Sequence, residues 1–167
     1  DLSRTTPMDL SELNAASSGK YCGPKAANLG QLKQMFPDKV VNGSVIPFGI
    51  FKEHMNQDMP LQEGSYWDYL TETFAQASKM RAEDFSEEQV QLCTLDRMLQ
   101  LREAIAKMPL KQSFLNDLEQ SFQKNFNTSI GGTPVFLRSD TNMEDLDSFT
   151  GAGLNLTVFN VRDREKI

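Results

Sequence analysis

The strongest constraint on the fold is a set of apolar side chains that recur every four residues in the second half of the chain. The set is Phe114, Leu118, Phe122 and Phe126. Because an α-helix turns once in about 3.6 residues, side chains at this spacing lie on one face of a helix. We interpret this face as part of a hydrophobic core rather than as an aromatic box for a cofactor. The spacing therefore predicts a helix that packs against other elements.

Two more helices are predicted upstream, at residues 67–80 and from Ser86 onward. Ser86 and Gln89 have the spacing of a capping box, and Pro109 is expected to end the helix that begins there. The expected core stripe of this helix is Leu92, Leu95, Leu99 and Ala106. The expected inward side chains of the earlier helix are Trp67, Leu70 and Phe74. We find no chemistry in residues 56–130 and interpret this segment as a helical scaffold.

Residues 1–55 predict a shorter helix and a strand. Pro24 stands at a position typical of the first turn of a helix, and Pro37 is expected to stop that helix. The apolar stripe between them is Ala26, Leu29, Leu32 and Phe36. Residues 45–51, VIPFGIF, predict a short strand that changes into a second helix near Phe51. Both pieces are apolar enough to share a core.

Residues 131–167 predict two strands around a glycine-rich turn. Residues 135–137 form a compact apolar strand that ends on Arg138. A GAG triplet that includes Gly153 follows an acidic, turn-like segment. Alternating side chains at residues 154–159 then predict a second, half-buried strand.

The combined pattern predicts the α/β (α+β) class, with a small sheet and packed helices in a single domain. At 167 residues the chain is long enough for one domain with a real core and too short for two. Residues 1–55 and 131–167 would form the α/β part, and residues 56–130 the helical segment.

Charge and cysteine content exclude several classes of function. The 17 Lys and Arg residues against 23 Asp and Glu give a net charge of -6, and no basic tract could follow a phosphate backbone. Nucleic acid is therefore not an expected partner. Cys22 and Cys93 match no metal-ligand spacing, which favours a reduced, cytoplasmic setting. The sequence lacks the run of about 18 apolar residues that a membrane span needs.

Two cations are candidates for binding an anion. Lys25 lies in the first turn of a predicted helix, where a cation costs about 0.3–1 kcal/mol unless an anion is bound there. It is either part of an anion site or a tolerated surface residue. Arg138 likewise either binds phosphate or pairs on the surface with Asp140, Glu144 or Asp145. A lysine, an arginine and a glycine backbone without a Cβ, here at Gly153, are groups that commonly neutralise and orient a polyphosphate. The glycine patterns of the P-loop and of dinucleotide-binding folds are both absent from the sequence.

Three segments resemble the nucleotide-binding region of the phosphoenolpyruvate synthase and pyruvate phosphate dikinase family. They are GPKAANLGQL at 23–32, VIPFGIF at 45–51 and LRSDTNMEDLDSFTGAGLNLTVFNV at 137–161. The family carries a GGK-x-x-x-L stretch, a V-P-x-G-F stretch and an R-S-x-x-x-x-E-D-L segment in the same order. The third segment is also similar to that of the glucan, water dikinases. Each segment alone is a weak signal, and the shared order makes the joint signal strong.

The resemblance implies an ATP-grasp-like fold in which two subdomains close on ATP. Lys25 and Arg138 stand at the family residues that contact the ATP phosphates, and Gly153 and Thr157 at residues that line the nucleotide pocket. The E-D pair at 144–145 would shape the loop and is not assigned to a metal. In the family, ATP phosphorylates a histidine on a mobile domain, which then delivers the phosphoryl group to an acceptor. Pyruvate is the expected acceptor here.

Other family features differ or do not match this sequence. Pro24 replaces the second glycine of the GGK stretch, which removes one backbone N–H from the phosphate loop. The Mg²⁺ ligands, the phosphohistidine domain and the pyruvate or phosphoenolpyruvate domain have no counterpart here, and we interpret His54 as structural. We therefore expect an inactive fragment of a dikinase that works with those domains and can self-associate. The alternative is a non-catalytic nucleotide-binding or interaction module that kept the fold.

Overall fold

The computed structural model describes residues 1–143 and 156–163. This part of the chain contains five α-helices and four short strands, which confirms the mixed α/β class. The helices are α1 (Pro24–Met35), α2 (Phe48–Met55), α3 (Tyr66–Ala82), α4 (Glu87–Ala106) and α5 (Gln112–Phe126). The strands are β1 (Met8–Asp9), β2 (Ser44–Val45), β3 (Val135–Arg138) and β4 (Thr157–Val161). Within the described ranges, no helix is long and apolar enough to cross a membrane.

The chain divides into two compact units, each with an apolar core of its own. One unit consists of Asp1–Phe51 and Lys111–Ile167, and we call it the terminal unit. The other is Lys52–Leu110, which we call the helical unit. Helix α5 belongs to the terminal unit, whereas the sequence pattern grouped it with the helical segment 56–130.

The first core cluster of the terminal unit forms where α1 meets the start of the chain. Strands β1 and β2 pair antiparallel, and α1 lies against two short 3-10 turns at Leu10–Glu12 and Ala15–Ser17. Gly30 permits this approach, because a Cβ at that position would lie 2.7 Å from the Leu13 carbonyl oxygen. The buried residues of the cluster are Met8, Leu10, Leu13, Cys22, Ala27 and Val45.

Helix α5 covers the second core cluster of the terminal unit, and its predicted stripe is confirmed. The buried residues are Ile50, Phe114, Leu118, Phe122 and Ile130. The half-buried Phe126 ring contacts the Phe122 ring edge to face at 5.1 Å. Polar contacts connect α5 to the segment around β2: Asn125 Nδ2 donates to Ser44 Oγ, and Asn42 Nδ2 donates to the Asn125 carbonyl oxygen, both at 3.0 Å. The helix is therefore fixed by both apolar packing and hydrogen bonds.

In the helical unit, α3 and α4 pack against each other, and each begins with a capping box made by neighbouring residues. Ser65 pairs with Asp68 at the start of α3, and Ser86 pairs with Gln89 at the start of α4. The second of these boxes was predicted from the sequence and is confirmed. The buried core residues of this unit are Met55, Met59, Tyr66, Tyr69 and Leu101.

The faces that α3 and α4 turn inward differ from the prediction. The exposed side chains that were expected inside are Leu92 (62%), Leu95 (57%), Leu99 (46%), Phe74 (55%) and Ala106. The residues that these two helices bury instead are Tyr66, Tyr69, Thr73, Ala77, Val90 and Leu101. The side of α4 that faces α3 is the one that carries Arg97, whose guanidinium stacks over the Tyr69 ring at 4.3 Å and donates to Thr73 Oγ1 at 3.0 Å. The leucine stripe lies on the opposite side of α4 and is exposed to solvent.

The remaining sequence-based boundaries agree closely with the structure. Strand β3 ends on Arg138 as predicted. The change from strand to helix in VIPFGIF is confirmed, with α2 beginning at Phe48 rather than near Phe51. Strand β4 begins at Thr157 and runs antiparallel to β3, so it overlaps the later half of the predicted strand at 154–159. Residues 154–155 lie outside the described part of the chain.

Candidate functional site

Helix α1 begins without a capping side chain of its own. Gly23 is the N-cap residue, and Pro24 occupies the first helical position, where its missing N–H costs nothing. The backbone amides of Gly23, Lys25 and Ala26 point out of the helix end, where the helix itself supplies no acceptors. They require acceptors from elsewhere in the chain, from water or from a ligand.

The acceptor is the carboxylate of Asp140, in the RSD segment that follows β3. Its Oδ2 accepts from the Gly23 amide at 2.8 Å, and its Oδ1 accepts from the amides of Lys25 at 3.1 Å and Ala26 at 3.2 Å. The partners are 114 to 117 residues apart in the sequence. The helix dipole favours a carboxylate at this end. The contact therefore joins the GPK segment directly to the RSD segment.

Gly23 is required here for space and not for its backbone angles. Its φ of -81° is open to any residue. A Cβ added to it would lie 2.6 Å from Asp140 Oδ1 and 2.7 Å from the Thr141 carbonyl oxygen. Such distances are too short for a real contact, so the backbone at 140–141 can lie against α1 only because residue 23 has no side chain.

Strands β3 and β4 bring two more candidate residues side by side. Arg138 and Thr157 are directly opposite each other in the antiparallel pair, so their side chains leave the same face. The ladder continues past the strand end, where the Ser139 amide donates to the Leu156 carbonyl oxygen at 3.1 Å. Arg138 is thus fixed by β4 on one side and is followed two residues later by Asp140.

The face that carries Arg138 and Thr157 also carries an aromatic pair. Phe136 shares this face with Arg138 by strand alternation, and its ring contacts the Phe159 ring at 5.6 Å with an interplanar angle of 77°. Both phenylalanines are 68% exposed. This side of the β3–β4 pair is therefore open to solvent around the two candidate residues.

Three of the four predicted nucleotide-site residues lie in the described part of the chain. Lys25 is half-buried in the first turn of α1, Arg138 is exposed at the end of β3, and Thr157 is half-buried at the start of β4. Gly153, like the E-D pair at 144–145, lies outside the described residues. The structure brings the backbone of Lys25 to Asp140 and pairs Arg138 with Thr157.

Asp140 is the residue of this site that sequence reasoning did not identify. The sequence pattern offered it only as a surface partner for Arg138. Two features of the sequence point toward its role, namely a helix that starts at Cys22-Gly23-Pro24 without a side-chain cap and an acidic residue just after a strand. Neither feature says that the two segments meet, because more than a hundred residues separate them.

The charge of Asp140 also acts on Cys22. The Cys22 thiol is buried, and its Sγ lies 3.9 Å from the Ser17 carbonyl oxygen, to which it donates. Burial and the nearby Asp140 carboxylate together raise the pKa of this thiol to about 11. The thiol therefore stays protonated at neutral pH and is a poor nucleophile beside the candidate site.

A concavity of about 210 Å³ lies elsewhere in the terminal unit. Its wall includes Asp9 and Glu12, and the Lys124 ammonium lies 3.8 Å and 3.6 Å from their carboxylates. Among the described residues, no group of three or more His, Cys, Asp or Glu side chains could hold a metal ion. We therefore assign no metal ligand to any described residue.

Comparisons with known proteins do not add a family to this description. No protein-family model matches the sequence, and no similar curated protein or solved structure was found. The functional argument therefore depends on the motifs of this chain and on the contacts between them.

Proposed function

We propose that this chain is the ATP-binding portion of a dikinase-type phosphotransferase with an ATP-grasp-like arrangement. The observation that carries the proposal is the contact of the Asp140 carboxylate with the amides of Gly23, Lys25 and Ala26. It brings together two of the three segments that resemble the phosphoenolpyruvate synthase and pyruvate phosphate dikinase family. A chance similarity in two unrelated segments would give no reason for them to meet.

In this proposal, the side chains around the contact bind the phosphates of ATP. The Lys25 ammonium acts as a point charge, and the Arg138 guanidinium offers a planar fork that suits phosphate oxygens. The Thr157 hydroxyl leaves the same strand face as Arg138 and supplies a further donor. Gly153 would contribute close backbone approach. Phosphoryl transfer asks mainly for positioning and charge neutralisation, which these groups supply without acting as acid or base.

The reaction itself requires groups on other domains. In a dikinase of this family, the β-phosphoryl group of ATP passes to a histidine on a mobile domain and AMP leaves. Water takes the γ-phosphoryl group as phosphate, and the histidine then delivers its phosphoryl group to pyruvate or another acceptor. Mg²⁺ would neutralise phosphate charge, and we expect its protein ligands outside the described residues, which offer no group of three or more His, Cys, Asp or Glu side chains for it. The expected partners are therefore the phosphohistidine domain and the pyruvate or phosphoenolpyruvate domain.

A second candidate function is a non-catalytic nucleotide-binding module. The observation that favours it is the make-up of the described site, in which Lys25, Arg138 and Thr157 supply binding groups and no evident general base. Both candidates predict ATP binding, and they differ in whether bound ATP can phosphorylate a histidine domain supplied in trans.

Calorimetric titration with ATP tests the binding that both candidates share. We expect the double variant K25A/R138A to lose at least about tenfold in affinity, because each cation makes a charge-assisted contact with phosphate. The matched control is K39A/R102A, which also removes one lysine and one arginine charge, but from exposed positions outside the proposed site. Equal affinities of the two double variants for ATP would contradict the proposal.

A further inference from the structure

The amides at the start of α1 are fully used by the chain itself. Pro24 has no N–H, and the Ala27 amide already donates to the Gly23 carbonyl oxygen at 3.2 Å within the helix. The three amides that remain at this end all donate to the Asp140 carboxylate. A ligand phosphate could reach these amides only by displacing Asp140. Otherwise it must be bound by side chains alone.

The surroundings of Asp140 favour phosphate binding by side chains alone, with Asp140 left in place. Residues 139–141 are held at both ends, because the Ser139 amide is bonded to Leu156 in the ladder and the Thr141 backbone lies directly against Gly23. Both carboxylate oxygens of Asp140 accept hydrogen bonds from the amides at the start of α1. Displacing Asp140 would break these bonds and move a segment that is anchored on each side.

The same contact fixes how two candidate phosphate ligands are arranged. Lys25 carries one of the amides bonded to the Asp140 side chain, and Arg138 lies two residues before Asp140, a span of about 7 Å of chain at most. Arg138 is also paired with Thr157 across the ladder. Loss of the Asp140 side-chain acceptors would therefore alter the position of Lys25 relative to Arg138 and Thr157.

We infer that Asp140 is the positioning residue of the proposed phosphate site, and that phosphate is bound by the side chains of Lys25 and Arg138 while the α1 amides stay bonded to Asp140. The inference rests on the proposed function. It assigns Asp140 no contact with ATP. Its role is to hold α1 and β3 in the arrangement that lets both cations reach one polyphosphate.

Amide hydrogen exchange measured by NMR on the 167-residue chain tests the contact without any nucleotide. We expect the amides of Gly23, Lys25 and Ala26 to be protected in the native protein. In D140A this protection is lost, and the amides beyond the first turn of α1 keep theirs. Rapid exchange of the three amides in the native protein would overturn the inference.

Titration with ATP, and separately with inorganic tripolyphosphate, tests the role in binding. We expect D140A to lose about tenfold in affinity for both probes, because Lys25 and Arg138 are then no longer held in fixed positions relative to each other. D140N keeps an oxygen acceptor for Lys25 and Ala26 and is expected to retain affinity within about threefold. Recovery in D140N is a result that a merely destabilised fold would not give. The control is D9N, which removes a capping carboxylate from another part of the terminal unit.

The outcomes separate the inference from the proposed function. If the native protein binds ATP and D140A binds it equally well or more tightly, the carboxylate competes with phosphate or plays no part, and the inference fails alone. If NMR shows that ATP releases the Gly23, Lys25 and Ala26 amides from Asp140, the inference also fails. If K25A/R138A binds ATP like its control K39A/R102A, the proposed function fails, and the inferred role of Asp140 in phosphate binding fails with it.

Discussion

The backbone N–H groups at the start of α1 find their acceptors in a different part of the chain, whereas those at the start of α3 and α4 find them in neighbouring residues. In the helical unit, Ser65 and Ser86 each cap their own helix with help from a residue three positions later. In the terminal unit, α1 depends on Asp140, more than a hundred residues away. Local caps stabilise one helix, whereas a distant cap also fixes where that helix lies relative to a strand. The candidate site is found at the distant cap.

Gly23→Ala gives the largest expected effect, because it breaks the distant cap through steric overlap. The added Cβ would meet Asp140 and the Thr141 backbone at less than 3 Å, so the segment must move away and α1 loses its acceptor. We expect the free energy of unfolding to fall by about 2–4 kcal/mol, measured by urea denaturation. The matched control is Gly43→Ala, whose Cβ would meet only the Leu10 side chain at an ordinary 3.5 Å. Equal effects at the two positions would contradict the packing described at Gly23.

Ser86→Ala gives a smaller expected effect, because it removes a local cap only. The Ser86 hydroxyl accepts from the Gln89 amide at 3.2 Å, and its loss is expected to cost about 1 kcal/mol of stability. Amide exchange should increase in the first turn of α4 and stay unchanged in α1. Ser78→Ala serves as the control, because that hydroxyl bonds only within the exposed surface of α3. A loss of α1 protection in Ser86→Ala would show that the caps are not independent.

The pH dependence of the two local caps is the most subtle expected difference. Hydrogen bonds from the Ser65 side chain and backbone hold the pKa of Asp68 below its ordinary value of 3.8. Because the folded pKa is lowered, the contribution of Asp68 is present above pH 3.8 and is lost as the pH falls through the folded pKa. The difference in stability between native protein and D68N should therefore shrink below about pH 4, whereas the penalty of Ser86→Ala should stay constant, because Gln89 does not titrate. Denaturation series from pH 6 to pH 3 for the three proteins would measure both differences.

Much of the local structure could be predicted from the sequence, because it depends on neighbours along the chain. The start of α1 at Pro24, the capping box at Ser86 and the buried face of α5 each follow from residues within a few helical turns of one another. The mixed α/β class follows from the same signals. The end of β3 at Arg138 was likewise readable from an apolar run that stops at a charge.

The faces of α3 and α4 could not be predicted in the same way, because they depend on which partner is present. Leucines at helical spacing indicated an inward stripe at Leu92, Leu95 and Leu99. The side of α4 that faces Tyr69 is instead the opposite one, which carries Arg97. Hydrophobic spacing identifies an apolar face, and it does not say whether another element covers that face. The pairing of Arg138 with Thr157 likewise could not be predicted, because it depends on the register between β3 and β4.

The sequence by itself determined the helices, the mixed class and the residues Lys25, Arg138, Gly153 and Thr157 that the proposed nucleotide site depends on. It also posed the problem of a cation at the start of α1, where the dipole calls for an anion. Only the tertiary structure shows that the Asp140 carboxylate is bonded to the backbone amides at the start of α1. The physical reason is the separation along the chain. Hydrogen bonds between residues a few positions apart can be predicted from their spacing in the sequence, whereas a bond across 115 residues forms only after both segments have folded against each other.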